Sequence, residues 1–121
     1  MQKKSKKKSG EYNPNIPLSI SEREAIIQQI SKCWIVPSGA RDAKSILVKL
    51  RVSLSQDGGL LDLNVVDKSR YDSGQDNFYN AAVDSAVRAV RRCTPLQNLP
   101  KEKYSSWKEI ELNFDPKELI Y

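Results

Sequence analysis

The chain has 121 residues, enough for one small domain with a modest core, and it holds two cysteines and no histidine. Without histidine it lacks the commonest general base and the commonest metal ligand, and two thiols fall short of the four N/S ligands of structural zinc, so enzymatic and zinc-binding readings start at a disadvantage. The formal charge of +5 resides in Lys3, Lys4, Lys6, Lys7 and Lys8; beyond them acids and bases balance, so the expected fold lacks the basic excess of a nucleic-acid-binding surface.

The opening MQKKSKKKSG has no apolar stretch, so it is neither a signal peptide nor a membrane span, and no later stretch approaches the roughly 18 apolar residues a span needs. Residues 1–17 read as a Lys-rich disordered linker or the end of an upstream stalk, the alternative being a polybasic arm for RNA or anionic lipid. Residues 18–121 are the expected globular domain. Within the linker, Glu11 to Pro17 contains two prolines and reads as an extended lead-in. Ser21 and Glu24 have capping-box spacing, with Ser19 and Glu22 as an alternative frame, and Ile26, Ile30, Cys33 and Trp34 recur at helical intervals. A helix from about Ser21 to Trp34 is expected, stopped by Pro37-Ser38-Gly39.

Ile46, Val48, Leu50, Val52 and Leu54 alternate with Leu47, Lys49, Arg51 and Ser53, the period of a strand with one face buried. Gln56-Asp57-Gly58-Gly59 supplies turn residues, and Leu61, Leu63 and Val65 resume the alternation, so the two strands form a hairpin. Asp67 to Gln75 reads as a polar loop. A second helix follows, with Phe78, Ala82, Val83, Ala86, Val87, Ala89, Val90 and Cys93 on a broad apolar face. Pro95 and Pro100 bracket an irregular stretch. Tyr104 and Trp107 sit in one short helical turn, more in keeping with core closure than with a binding platform. Ile110, Leu112 and Phe114 then alternate with Glu109, Glu111 and Asn113 as a third strand, ended by Asp115-Pro116.

This order predicts an α+β fold: a two-layer sandwich with a three-stranded antiparallel sheet and two main helices on one face, α-β-β-α-turn-β. Lys49, Arg51, Asp62, Asn64, Glu109 and Glu111 belong to the open face. A right-handed crossover through the second helix puts strand three parallel to strand two with strand one between them, leaving strand three at an edge. Its unpaired N–H and C=O groups are either a liability or a recognition surface, and Glu109, Ile110, Glu111, Leu112, Asn113 and Phe114 are the candidate partner-binding residues. The side chains of Ile110, Leu112 and Phe114 are expected in the core, which leaves their backbone free to act. Asp57, Asp62, Asp67 and Asp72 lack the spacing of a calcium loop. Cys33 and Cys93 admit three states at this point: buried thiols, exposed thiols or one disulfide.

Several residues in this order resemble the TolA C-terminal domain family, and more distantly that of TonB. They are Cys33-Trp34 at the end of helix one, Asp57-Gly58 in the hairpin, Ala81-Ala82 and Arg88-Ala89-Val90 in helix two, and Cys93 followed by Pro95. Leu99-Pro100, Tyr104, Trp107 and Phe114-Asp115-Pro116 complete the pattern, which runs from near Leu18 to near Leu119. The resemblance implies a periplasmic protein-interaction domain of the Tol-Pal system, in a protein anchored in the inner membrane by an upstream segment that this chain lacks. It implies TolB and Pal as partners, a role in envelope integrity and cell division, and exploitation by phage coat proteins and colicins. Neither catalysis nor a cofactor is implied, and the isolated domain is expected to be a monomer. The competing reading is a small basic-tailed RNA-binding module, but a GxxG loop and aromatic residues on open strand positions are both missing from the sequence.

A periplasmic location implies oxidising conditions, and with it a bond between Cys33 and Cys93. Antiparallel neighbouring helices would hold the two helix ends roughly 20 Å apart by helical rise, too far for a bridge. The link from Ile35 to Ala43 spans up to about 30 Å and allows another layout. A disulfide therefore requires the two helix C-termini to meet.

Overall fold

A computed structural model describes residues 17–36 and 46–115, together with the backbone of 118–120. The expectations for the Lys-rich segment, for the lead-in before Pro17, for Pro37-Ser38-Gly39, for the link up to Ala43 and for Pro116 lie outside the described residues.

Helix α1 is Ile20–Ser31, and it takes the Ser19 capping frame: the Glu22 N–H donates to Ser19 Oγ and the Ser19 N–H donates to Glu22 Oε1 at 2.7 Å. The same carboxylate pairs with Lys103 Nζ at 2.8 Å, an anchor that only the Ser19 frame provides. The helix ends three residues before Trp34, a correction to the expected boundary. Cys33 and Trp34 form a tight turn, their N–H groups donating to the carbonyls of Ile30 and Ser31.

Strand β1, Val48–Leu54, is the central strand and buries Val48, Leu50, Val52 and Leu54, with Ile46 buried just before it. It returns through a turn in which the Gly58 N–H donates to the Ser55 carbonyl, into β2, Leu60–Val65. Leu54 pairs with Leu60 whereas Ser53 pairs with Asp62, so Leu61 is an extra residue in the ladder. That bulge corrects the expected alternation: Leu61 is 66% exposed, while Leu63 and Val65 are half-buried.

The segment read as a polar loop contains a short helix, α2, Lys68–Ser73, capped by Asp67 and closed by left-handed Gly74. Helix α3, Asn77–Cys93, begins at Asp76, whose carboxylate accepts the Tyr79 N–H. Phe78 was expected on the buried face but is 54% exposed; Tyr79 takes the inward position, and Ala82, Val83, Ala86, Ala89 and Val90 continue the buried stripe. The loop after α3 carries a cis Thr94–Pro95 peptide and leads through a 3₁₀ turn, Lys101–Lys103, into α4, Tyr104–Trp107. Trp107 is fully buried with its indole N–H on the Pro100 carbonyl, and Tyr104 donates to the Leu54 carbonyl, so the aromatic pair closes the core as expected.

Strand β3, Glu109–Asp115, pairs antiparallel with β1 and is followed by β4, Glu118–Ile120. The three expected strands are present, and β4 adds a short fourth in the order β2-β1-β3-β4. Placing β1 between β2 and β3 makes β3 parallel to β2, as the crossover argument required. Helices α1 and α3 cover one face. Trp34 sits over it, edge-to-face with Phe114 at 5.2 Å, its indole N–H on Ser85 Oγ. A disulfide joins Cys33 to Cys93 across a Cα separation of 6.1 Å, so the ends of α1 and α3 meet.

Candidate functional site

Alternate residues of an antiparallel strand direct their backbone groups to opposite sides. The Leu54 N–H donates to the Lys108 carbonyl, and continuing that register gives the Ile110, Leu112 and Phe114 backbone groups to β1. Those of Glu109, Glu111, Asn113 and Asp115 face outward. Asn113 meets Ile120 and Asp115 meets Glu118, which leaves the outward N–H and C=O groups of Glu109 and Glu111 with no strand beside them among the described residues. The open stretch is therefore the first half of the candidate segment, Glu109 to Leu112, and β4 covers the second.

A groove of about 420 Å³ runs along this stretch, walled by Pro17, Leu18, Arg23, Ser106 and Ile110, with Glu109 and Glu111 at its rim. Leu18 and Ile110 are buried and make its apolar side. Three features fix its geometry. The Lys103–Glu22 pair ties the start of α1 to the turn before β3, the Lys108 N–H donates to the Tyr104 carbonyl, and Tyr104 is held on Leu54. The Lys103 ammonium, hydrogen-bonded to Glu22, is the main reason that this carboxyl sits below its ordinary value, with the Ser19 N–H second. On the open face Glu111 pairs with Arg51 at 3.3 Å, both side chains partly exposed, a contact that screening leaves weak. Ile110, Leu112 and Phe114 are core side chains; Asn113 holds a buried Oδ1 that accepts no hydrogen bond among the described residues.

The expectation that β3 is the edge strand is corrected by β4, which pairs with Asn113 to Asp115 and leaves only Glu109 to Leu112 open. Nothing in the sequence signalled the groove, because Pro17 and Leu18 reach it from the far end of the chain. The four aspartates stay apart: Asp57 bonds within the hairpin turn to Ser55 and the Gly59 N–H, Asp62 accepts from Asn64, Asp67 caps α2 and Asp72 pairs with Lys68. Among the described residues no group of three or more Cys, Asp or Glu side chains is placed to hold a metal ion. No described helix is long and apolar enough to cross a membrane.

The model of a family described as uncharacterised conserved protein UCP034077 matches residues 17–101. The chain belongs to this family. The matched stretch of UCP034077 runs from the groove wall at Pro17 to the 3₁₀ turn and stops short of β3. No curated protein matches the chain. Among solved structures, a solution NMR structure of TolAIII bound to a peptide derived from the N-terminus of TolB matches with a TM-score of 0.59 and 23% identity, over 93% of this chain and 85% of that one. This member of UCP034077 thus shares the TolAIII fold, the one the sequence resemblance implied.

Proposed function

We propose that the domain is a protein-interaction module of the TolA kind, which takes a partner segment as an added strand along β3. The observation that carries this reading is the outward backbone of Glu109 and Glu111, which has no strand beside it among the described residues and borders a groove, in a fold shared with a domain solved with a peptide bound. Main-chain hydrogen bonds would supply affinity, and side chains of the added strand reaching the Leu18 and Ile110 wall would supply selectivity. In this reading residues 18–121 are the working end of a periplasmic protein, residues 1–17 link it to a stalk anchored in the inner membrane, and TolB is the first partner. Pal, a role in envelope integrity and division, and capture by phage coat proteins or colicins follow from the same assignment. An RNA-binding role finds less support, since the open face carries Asp62, Glu109 and Glu111 beside Lys49 and Arg51.

Proline at position 111 is the test. The Glu111 N–H faces away from β1, so Glu111→Pro removes an outward donor without removing a ladder bond, and the strand conformation suits the residue before proline. Losing one net hydrogen bond costs about 1 kcal/mol, and the ring obstructs the incoming strand, so affinity for a TolB N-terminal peptide is expected to fall at least about fivefold. Glu111→Gln, which removes only the exposed pair with Arg51, should change it less than about twofold. A folded Glu111→Pro protein with parental affinity would refute strand addition here.

A further inference from the structure

Helix α3 ends in three arginines, Arg88, Arg91 and Arg92, all exposed, and none of their side chains has a hydrogen bond or ion pair among the described residues. Elsewhere Arg51, Lys68, Arg70 and Lys103 are each matched to a carboxylate. Helical spacing puts Arg88 next to both Arg91 and Arg92, a like-charge arrangement that is unfavourable with nothing bound between the side chains. The partial negative charge at a helix C-terminus accounts for Arg91 and Arg92 in the last turn but not for Arg88, one turn further in. The disulfide brings the end of α1 alongside, where Lys32, next to Cys33 in the chain, is also exposed.

Two of these cations, Arg88 and Arg92, line a groove of about 180 Å³ together with Cys33, Ile35 and Ser85. Its walls are fixed. The Cys33–Cys93 bond holds one, and Ser85 accepts the Trp34 indole N–H while donating to the Ala82 carbonyl. Ile35, 70% exposed, forms an apolar rim. The groove is smaller than the roughly 300 Å³ at which small-molecule pockets begin, so it suits a side chain of a larger partner. Helix α3 packs on β1 and β2, and the groove shares no residue with the one along β3.

We propose that this groove is a second binding site, for an acidic peptide segment of a protein partner: its carboxylates sit on the forks of Arg88 and Arg92, and a neighbouring apolar side chain packs on Ile35. Guanidinium forks match carboxylates in paired hydrogen bonds, which lysine cannot reproduce, and the preformed walls lower the ordering cost of binding. A single apolar rim residue in a concave setting favours a peptide over a membrane surface, and among the described residues no exposed aromatic stands beside the arginines on which a nucleic acid base could stack.

The probe is an acetylated, amidated peptide Glu-Leu-Glu-Glu-Leu, titrated into the oxidised, isotope-labelled domain. Saturable amide shifts are expected at Lys32 to Ile35 and at Arg88 to Arg92. Arg88→Glu/Arg92→Glu should weaken binding about tenfold, the loss of two exposed charge-assisted pairs. Arg88→Lys/Arg92→Lys, which keeps charge and fold, should weaken it by an intermediate factor. The proposal is overturned by shifts scattered over other surface lysines, by equal affinity for the glutamine version of the peptide, or by undiminished binding in the lysine variant. Absence of saturation also overturns it, as does stronger binding to oligouridylate or to vesicles of phosphatidylcholine and phosphatidylglycerol.

Discussion

Removing the Cys33–Cys93 bond should cost this domain a large part of its stability. The two cysteines are separated by 60 positions, so the bond restricts nearly half of the unfolded chain. In the chain-entropy model a loop of that size corresponds to about 4 kcal/mol, against a total of about 5–15 kcal/mol for a typical domain. Both side chains are half-buried, so replacing them by alanine creates little additional cavity and the loop term dominates. The comparison is between the oxidised parent and Cys33→Ala/Cys93→Ala in urea, followed by fluorescence of Trp34 and Trp107. With a slope of about 2 kcal/mol per molar, the midpoint should fall by about 2 M. Cys33→Ala alone should match the double variant, since either change opens the loop. A double variant within about 1 kcal/mol of the parent would refute the reasoning, because the meeting of the two helix ends would then be maintained by packing alone. Alkylation without reductant should leave the parent mass unchanged.

Gly58 has φ +86°, and a Cβ there would meet the Leu96 carbonyl oxygen at 2.3 Å, while the Leu96 N–H donates to the Gly58 carbonyl. Gly58→Ala should therefore cost about 2–4 kcal/mol from backbone strain and the lost hydrogen bond, whereas Gly74→Ala, at φ +68° with nothing within 4 Å, should cost about 1 kcal/mol; equal urea midpoints for the two would contradict this. Glu22 binds its proton less tightly in the folded state than its ordinary value of 4.5, first because of Lys103 and then the Ser19 N–H. That contribution to stability is complete above the unfolded value and is lost as pH falls through the folded one. Lys103→Met should accordingly be less stable than the parent at pH 7, with the gap narrowing once Glu22 is protonated; a gap independent of pH would show that the pair is not its source.

What the sequence revealed and what it concealed divide along physical lines. The alternation from Ile46 to Leu54 was legible because β1 is central and one face is wholly buried, and the Ala-rich stripe of α3 was legible for the same reason. Leu61 and Phe78 were misassigned because a strict period cannot show a bulge or the one-residue offset that puts Tyr79 inward. Helix α2 has no buried face to generate a period; its signals were the capping residues Asp67 and Gly74, which a polar loop also contains. Strand β4 is three residues long and forms only against β3, so nothing local announces it. For the site, the position of β3 beside β1 followed from element order and crossover handedness, while its expected place at the sheet edge holds only for its first half, before β4 pairs with it. The limits of the site did not follow, because β4 and the Pro17–Leu18 wall are set by pairings between distant segments. The arginine groove was hidden in the same way, since Ile35 and Arg88 become neighbours only when the disulfide joins the helix ends.

The most direct measurement of the central proposal is amide hydrogen exchange of the labelled domain, free and saturated with a TolB N-terminal peptide. Strand addition predicts that the Glu109 and Glu111 amides gain strong protection on binding, with cross-strand proximities from Glu111 to the peptide backbone, while Ile110 and Leu112, already bonded to β1, change little. A peptide that binds while Glu109 and Glu111 exchange as in the free domain would contradict it.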